Sequence, residues 1–110
     1  MEIAETKRNG VVVLSVDGRV DASNAATLEQ RILAVIAGGE TRLVIDCARL
    51  EYMSSAGLRV LLIAAKRLSN TGQLGVASLN NQIRDVFDIA GFSSIFQIYR
   101  TQDEAVAALQ

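Results

Sequence analysis

Short runs of apolar residues alternate along this chain with segments whose apolar residues recur at helical spacing. The longest run covers residues 11–16 and predicts a strand, and residues 3–7 form a weaker strand pattern before it. Asn9-Gly10 lies between the two, and this dipeptide tolerates the positive φ angles of a tight hairpin turn. Residues 43–45 form another run between charged residues, as in strands covered on both faces. The chain is therefore expected to begin with a hairpin and to continue into a buried parallel strand.

Apolar residues spaced three and four positions apart predict two long helices. Their apolar positions and glycine ends are Leu28, Ile32, Val35, Ile36 and Gly38 in the first helix, and Leu58, Leu61, Leu62, Ala65, Leu68 and Gly72 in the second. Asn80 or Asn81 is expected to cap a third helix. Thr101 and Glu104 have the spacing of a capping box, so a fourth helix is expected after them.

Two more strand-like segments, at residues 73–78 and 96–99, lie between the later helices. The predicted order is ββαβαβαβα. Strands that alternate with helices require right-handed crossover connections and a mostly parallel sheet, while the opening hairpin adds one antiparallel pair at an edge. We therefore predict one α/β domain over residues 1–110. It should have about four helices, which lie mainly on one face of the sheet.

Composition and charge narrow the class of protein. Of the 110 residues, 50% are hydrophobic and 21% are charged, so one packed core is expected and disorder is excluded. The net charge of −1 offers no broad attraction to nucleic acid or to an anionic membrane. No apolar run approaches the ~18 residues of a membrane span, and acidic Glu2 and Glu5 stand where a secretory signal would be basic. We expect a cytoplasmic protein whose partners are other proteins.

The chain lacks the residues on which most enzyme and metal sites depend. It has no histidine and one cysteine, Cys47, which excludes intrachain disulfides, the usual zinc sites and imidazole-based catalysis. Ser55-Ala56-Gly57 resembles half of the nucleophile elbow of serine hydrolases, but Met53 stands where that elbow requires glycine. Without a base the Ser55 hydroxyl is a poor nucleophile. We expect no enzyme activity, no metal and no cofactor, and an inert, buried Cys47.

Ser54 and Ser55 stand at the start of the second long helix, and two roles are open for them. A serine at this position often only caps the helix, which contributes about 1 kcal/mol. Alternatively, the unpaired N–H groups and the positive dipole end at a helix start tolerate a phosphoryl group on a serine there. The residues by themselves leave both roles open.

The segment YMSSAGLRVLL at residues 52–62 closely resembles the signature of STAS domains, specifically of the bacterial anti-sigma factor antagonists. The resemblance extends to the opening hairpin, to Gly18-Arg19-Val20-Asp21, to the strand at residues 43–46 and to the order of elements, so it spans nearly the whole chain. It implies a STAS-like α/β fold.

The same resemblance implies a function as an anti-sigma factor antagonist. In that family an anti-sigma factor serine/threonine kinase phosphorylates the serine that corresponds to Ser55, and Ser54 is a second candidate here. The unphosphorylated antagonist binds the kinase and frees a sigma factor. Phosphorylation abolishes that binding, and a serine phosphatase of the PP2C type restores it. Many members have aspartate and serine where this chain has Ser54 and Ala56. A regulatory subunit of another signalling or transport complex is the alternative.

Further residues are expected around Ser55. Asp21 and Asp46 each follow a strand whose carboxyl end should lie beside it, and we expect both to help place its hydroxyl. A helix cap for Asp21 and a turn residue for Asp46 are equally plausible roles. Expected partner contacts are Asp21, Tyr52, Ser54, Ser55, Ala56, Gly57 and Arg59, with Arg49 and Glu51 as further candidates in the preceding loop. Arg59 and Val60 are expected on the exposed side of the helix.

A receiver-like domain is a different class of protein with a similar small parallel sheet. It would use Asp46 as the phosphoryl acceptor, and it would need a lysine late in the chain to bind the phosphoryl group. The last lysine here is Lys66, so this alternative lacks a required residue.

Overall fold

Six strands form one mixed sheet in the computed structural model, which describes all 110 residues. The strands are β1 (Glu2–Arg8), β2 (Val11–Val20), β3 (Arg42–Asp46), β4 (Leu50–Met53), β5 (Gln73–Ala77) and β6 (Gln97–Tyr99). The helices are α1 (Ala25–Ala37), α2 (Ser55–Leu68), α3 (Asn81–Ile89) and α4 (Gln102–Leu109), with a short 3₁₀ turn at Phe92–Ser94. The predicted α/β class and mostly parallel sheet are confirmed. None of the helices has the length and apolar character needed to cross a membrane.

The opening hairpin is antiparallel, and it puts β1 at one edge of the sheet. Asn9 and Gly10 at its turn have φ angles of 52° and 81°, as this dipeptide predicts. Neighbouring strands of the sheet follow the order β1-β2-β3-β5-β6. Every pair except β1–β2 is parallel. The second half of β2 extends beyond β3 and pairs with β4 there, with a register shift between Gly18 and Arg19 inside this pairing.

The two faces of the sheet are covered unequally. Alternate residues of β2, among them Val12 and Leu14, face a large cluster that includes residues of α1, α2 and α3. Val11 and Val13 point the other way, into a smaller cluster closed by α4. Three helices therefore share one face, and α4 lies on the other, which agrees with the expected uneven distribution.

Two helices, α3 and α4, have side-chain caps at the positions that the sequence predicts. The Asn80 side chain caps α3 by accepting a hydrogen bond from the Ile83 N–H at 2.8 Å. At α4, Thr101 Oγ1 accepts from the Glu104 N–H at 3.1 Å. The Glu104 carboxylate pairs with Arg100 instead of completing the capping box.

Two features of the fold differ from the sequence predictions. Strand β4 was expected to be loop, because its buried residues Leu50 and Met53 are separated by two exposed ones and do not alternate. Val60 was expected to be exposed, and it is only 4% exposed. The prediction for Val60 is wrong because α2 packs against α1 as well as the sheet, so its apolar face is wider than a single stripe.

Candidate functional site

The carboxyl ends of β2 and β4 lie side by side and form the base of the site. Val20 pairs with Met53, and the Ser54 N–H donates to the Val20 carbonyl at 2.9 Å. The residues that follow the two strands, Asp21 and Ser54, are therefore neighbours, and α2 starts at Ser55. This confirms the expected proximity of Asp21 to the serine pair.

The two serines at the start of α2 have different environments. Ser54 is the N-cap residue by backbone geometry, with φ −81° and ψ 174°, but its side chain makes no capping bond. Its Oγ is buried and has no hydrogen-bond partner. Ser55, the first helical residue, is exposed. The capping interpretation of these hydroxyls is wrong, and Ser55 is the serine that is accessible from solvent.

Gly57 fixes the distance between α2 and the strand ends. A Cβ at this position would lie 2.7 Å from Met53 Cγ and 2.8 Å from Val20 Cγ1, closer than real side chains approach. Only glycine lets the first turn of the helix pack this near to β2 and β4. Gly57 is itself buried, so it positions Ser55, while Ala56 beside it is half-buried.

Asp21 is held in a tight loop before α1. Its Oδ1 accepts hydrogen bonds from the Ser23 hydroxyl and from the Ser23 N–H, and these bonds lower the pKa of Asp21 below its ordinary value. The N-cap of α1 is Asn24, so Asp21 is not the helix cap that was the alternative. The Asn24 side chain accepts from the Asp21 N–H and donates to the Arg19 carbonyl, both at 2.9 Å. The loop holds an ionised carboxylate at the same end of the sheet as the serines.

Asp46 does not belong to the site, which corrects the expectation that it places the Ser55 hydroxyl. Its Oδ2 accepts from Gln102 Nε2 of α4 at 2.7 Å, on the face of the sheet opposite α2. Asp46 pairs with Ser15, and β2 continues well beyond that point to Val20. The side chain is only 7% exposed, so it is not available as the phosphoryl acceptor of a receiver-like domain either.

An exposed pair on the same strands, Arg19 and Tyr52, flanks the site. The Arg19 guanidinium carbon lies 4.5 Å from the centroid of the Tyr52 ring, a cation–π contact. The sequence singled out Tyr52 but not Arg19, because the contact depends on the pairing of β2 with the unpredicted β4. Arg59, one helical turn after Ser55, is exposed and forms no ion pair.

Cys47, between β3 and β4, takes no part in this surface. It is 1% exposed, and burial together with the nearby Asp46 charge raises the pKa of its thiol to about 12. The expected burial of Cys47 is confirmed. The thiol stays protonated at physiological pH and is therefore a poor nucleophile.

A sequence model described as STAS domain matches residues 2–105. The chain belongs to the STAS domain family. It is 40% identical to BtrV of Bordetella bronchiseptica, a candidate anti-sigma factor antagonist, over 100% of this chain and 96% of BtrV. The crystal structure of an anti-sigma factor antagonist from Mycobacterium paratuberculosis matches with a TM-score of 0.93 at 32% identity, covering 98% of this chain and 92% of that one. Bacillus SpoIIAA in its phosphorylated form has the same fold, with a TM-score of 0.77 at 20% identity over 99% and 100% of the two chains.

The surface around Ser55 of this STAS domain is open and does not form a pocket. The two cavities of the protein, of about 360 and 540 Å³, are lined by residues outside the 50–61 segment. No group of three or more histidine, cysteine or carboxylate side chains is placed to hold a metal ion. Small-molecule sites are usually concave, and the surface around Ser55 lacks this shape.

Proposed function

We propose that this STAS domain is an anti-sigma factor antagonist whose binding to its partner is controlled by phosphorylation of Ser55. One observation carries the proposal. At the start of α2 the Ser55 side chain is exposed, whereas the neighbouring Ser54 Oγ is buried. The names of the two most identical proteins described above, both anti-sigma factor antagonists or candidates for that role, support the assignment.

The unphosphorylated protein binds an anti-sigma factor that is also a serine kinase, and a sigma factor is thereby released. Phosphorylation is a transfer from ATP held by the kinase. The Ser55 oxygen forms a bond to the γ-phosphorus, the bond from that phosphorus to the β–γ bridging oxygen breaks, and ADP leaves. The hydroxyl proton goes to a base of the kinase. This chain has no histidine, and the lowered pKa of Asp21 makes that carboxylate a weak base.

The phosphoryl group acts on the docking surface by its charge. It adds about −1.5 to −2 charges to a neutral hydroxyl. A like charge of the partner within about 4 Å would then cost several kcal/mol at a partly screened surface. A loss of about 3 kcal/mol is more than a hundredfold in affinity. The ionised Asp21 beside the serines adds to the negative charge at the same place. A serine phosphatase of the PP2C type returns the protein to its binding form.

The fold itself is compatible with this modification. Ser55 lies at the amino terminus of a 14-residue helix, where the dipole and the free N–H groups favour negative charge. The first turn of α2 holds no acidic side chain that would repel the phosphate. The modified protein should therefore keep its structure while its interaction surface changes.

Incubation with ATP and candidate anti-sigma kinases, followed by mass spectrometry, tests the proposal. We expect one phosphate on Ser55. The variants Ser55→Ala and Ser54→Ala form a matched pair, because each removes one hydroxyl from the same segment. Ser55→Ala should abolish the modification and Ser54→Ala should retain it. Phosphorylation of Ser55→Ala to the parent level would show that the assignment is wrong.

A further inference from the structure

The solvent side of α2 carries a charge pattern that no other element has. The helix contains three basic residues, Arg59, Lys66 and Arg67, and no acidic residue. Ser55 and Arg59 are both exposed and lie four positions apart, which places them on the same face. Side chains of a helix lean towards its amino terminus, so the turn that begins with Ser55 is within reach of an arginine at position 59.

Arg59 has no counter-ion in the unmodified protein. Six of the basic side chains form ion pairs with carboxylates, and Arg59 is not among them. In α3, by contrast, Arg84 and Asp88 pair across the same four-residue spacing with an N–O distance of 4.0 Å. Ser55 is the residue of the preceding turn whose phosphorylation would place an anion beside Arg59.

We propose that the phosphate on Ser55 forms an ion pair with Arg59 within α2. Modification would then add a dianion to the surface and also pair the Arg59 guanidinium with it. The inference rests on the proposed phosphorylation of Ser55. An acidic residue amino-terminal to a basic one at this spacing is the more favourable orientation in a helix. Guanidinium groups bind phosphate oxygens with two parallel hydrogen bonds. Unmodified protein offers Arg59 to a partner, and phosphorylated protein does not.

Protein with phosphoserine placed genetically at position 55 tests the pair without any kinase. The pH titration of the phosphate is followed by ³¹P NMR in the parent, in Arg59→Gln and in Arg67→Gln. Arg67→Gln is the matched control, because it removes the same charge from the same helix. It lies twelve positions from Ser55, which is about 18 Å along the axis and beyond the screening length of about 10 Å at 0.1 M salt.

We expect the second pKa of the phosphate, ordinarily about 6, to be at least about 0.3 lower in the parent than in Arg59→Gln. The Arg67→Gln variant should titrate like the parent, and Arg59→Lys should keep part of the effect. Equal pKa values in Arg59→Gln and Arg67→Gln would overturn the ion pair. That result would leave the proposed function intact, because modification of Ser55 and loss of kinase binding are measured separately. Failure of the kinase to modify Ser55 would remove the proposed function instead.

Discussion

Ser54 stands at the N-cap position of α2, yet its replacement by alanine is expected to stabilise the protein. In a helix that is capped by serine the same change costs about 1 kcal/mol. Here the capping bond is absent, so this cost does not arise. Folding removes the Ser54 Oγ from water without giving it a partner, and an unsatisfied buried group costs about 1–3 kcal/mol. We expect Ser54→Ala to raise the free energy of unfolding by about 1 kcal/mol, the lower end of that range.

The other helices supply controls of opposite sign. Asn80 caps α3 through the Ile83 N–H at 2.8 Å, and its amide also donates to the Leu50 carbonyl at 3.1 Å. Asn80→Ala should therefore lower the free energy of unfolding by about 1–2 kcal/mol. Thr101→Ala at the start of α4, which breaks the bond to the Glu104 N–H, should cost about 1 kcal/mol.

Urea unfolding at pH 7, followed by circular dichroism, measures the three changes on one scale. The denaturant slope should stay constant, so that the midpoints report stability alone. For a domain near this size, 1 kcal/mol corresponds to a shift of about 4 °C in Tm. If Ser54→Ala destabilises the protein as much as Asn80→Ala does, the Ser54 hydroxyl caps α2 and the reasoning from its burial is wrong.

Three further changes test the site. Gly57→Ala should lower the free energy of unfolding by about 1–2 kcal/mol, because the added Cβ meets Val20 Cγ1. In a Val20→Ala background the same substitution should lower the free energy of unfolding by less, as measured by denaturation. Equal losses of stability in the two backgrounds would argue against the contact. Ser55→Asp should keep the circular dichroism spectrum but bind the anti-sigma kinase about tenfold more weakly by calorimetry. Unchanged affinity would exclude the electrostatic mechanism. Hydrogen bonds from Ser23 hold the pKa of Asp21 below its ordinary value of 3.8. The ionised Asp21 carboxylate therefore stabilises the fold above pH ~4, and this contribution is lost as the pH falls through the lowered pKa. The stability difference between the parent and Ser23→Ala should shrink towards acid pH, and a pH-independent difference would contradict this cause.

The hydrophobic pattern was sufficient to predict the strands and helices whose apolar periodicity agrees with their burial. The continuous run in β2 is buried on both faces, and the spacing of Leu28 and Ile32 in α1 matches their burial. The turn at Asn9-Gly10 and the cap at Asn80 depend on local backbone preferences, which short stretches of sequence encode directly.

The remaining features depend on contacts between distant segments. The pairing of β4 with the end of β2 contains a register shift, so the residues of β4 show no alternation. The Arg19–Tyr52 contact depends on this pairing and could not be predicted. Asp46 is the last residue of a parallel strand, as the expected site required, but the alternation of side chains along β3 turns it towards α4. The position of a residue at a strand end could be predicted from the sequence. The face of the sheet on which its side chain lies could not, because it depends on the register of the strands.

The sheet separates the interior into two clusters of unequal size, and each cluster holds different helices in place. The small cluster under α4 contains seven buried residues, and Arg8 and Asp46 hold the helix start through Gln102. Local opening of α4 would break these contacts and leave the larger cluster under α2 intact. Transient detachment of the last helix and recognition at Ser55 therefore draw on different sets of interactions, and a substitution can alter one process without altering the other.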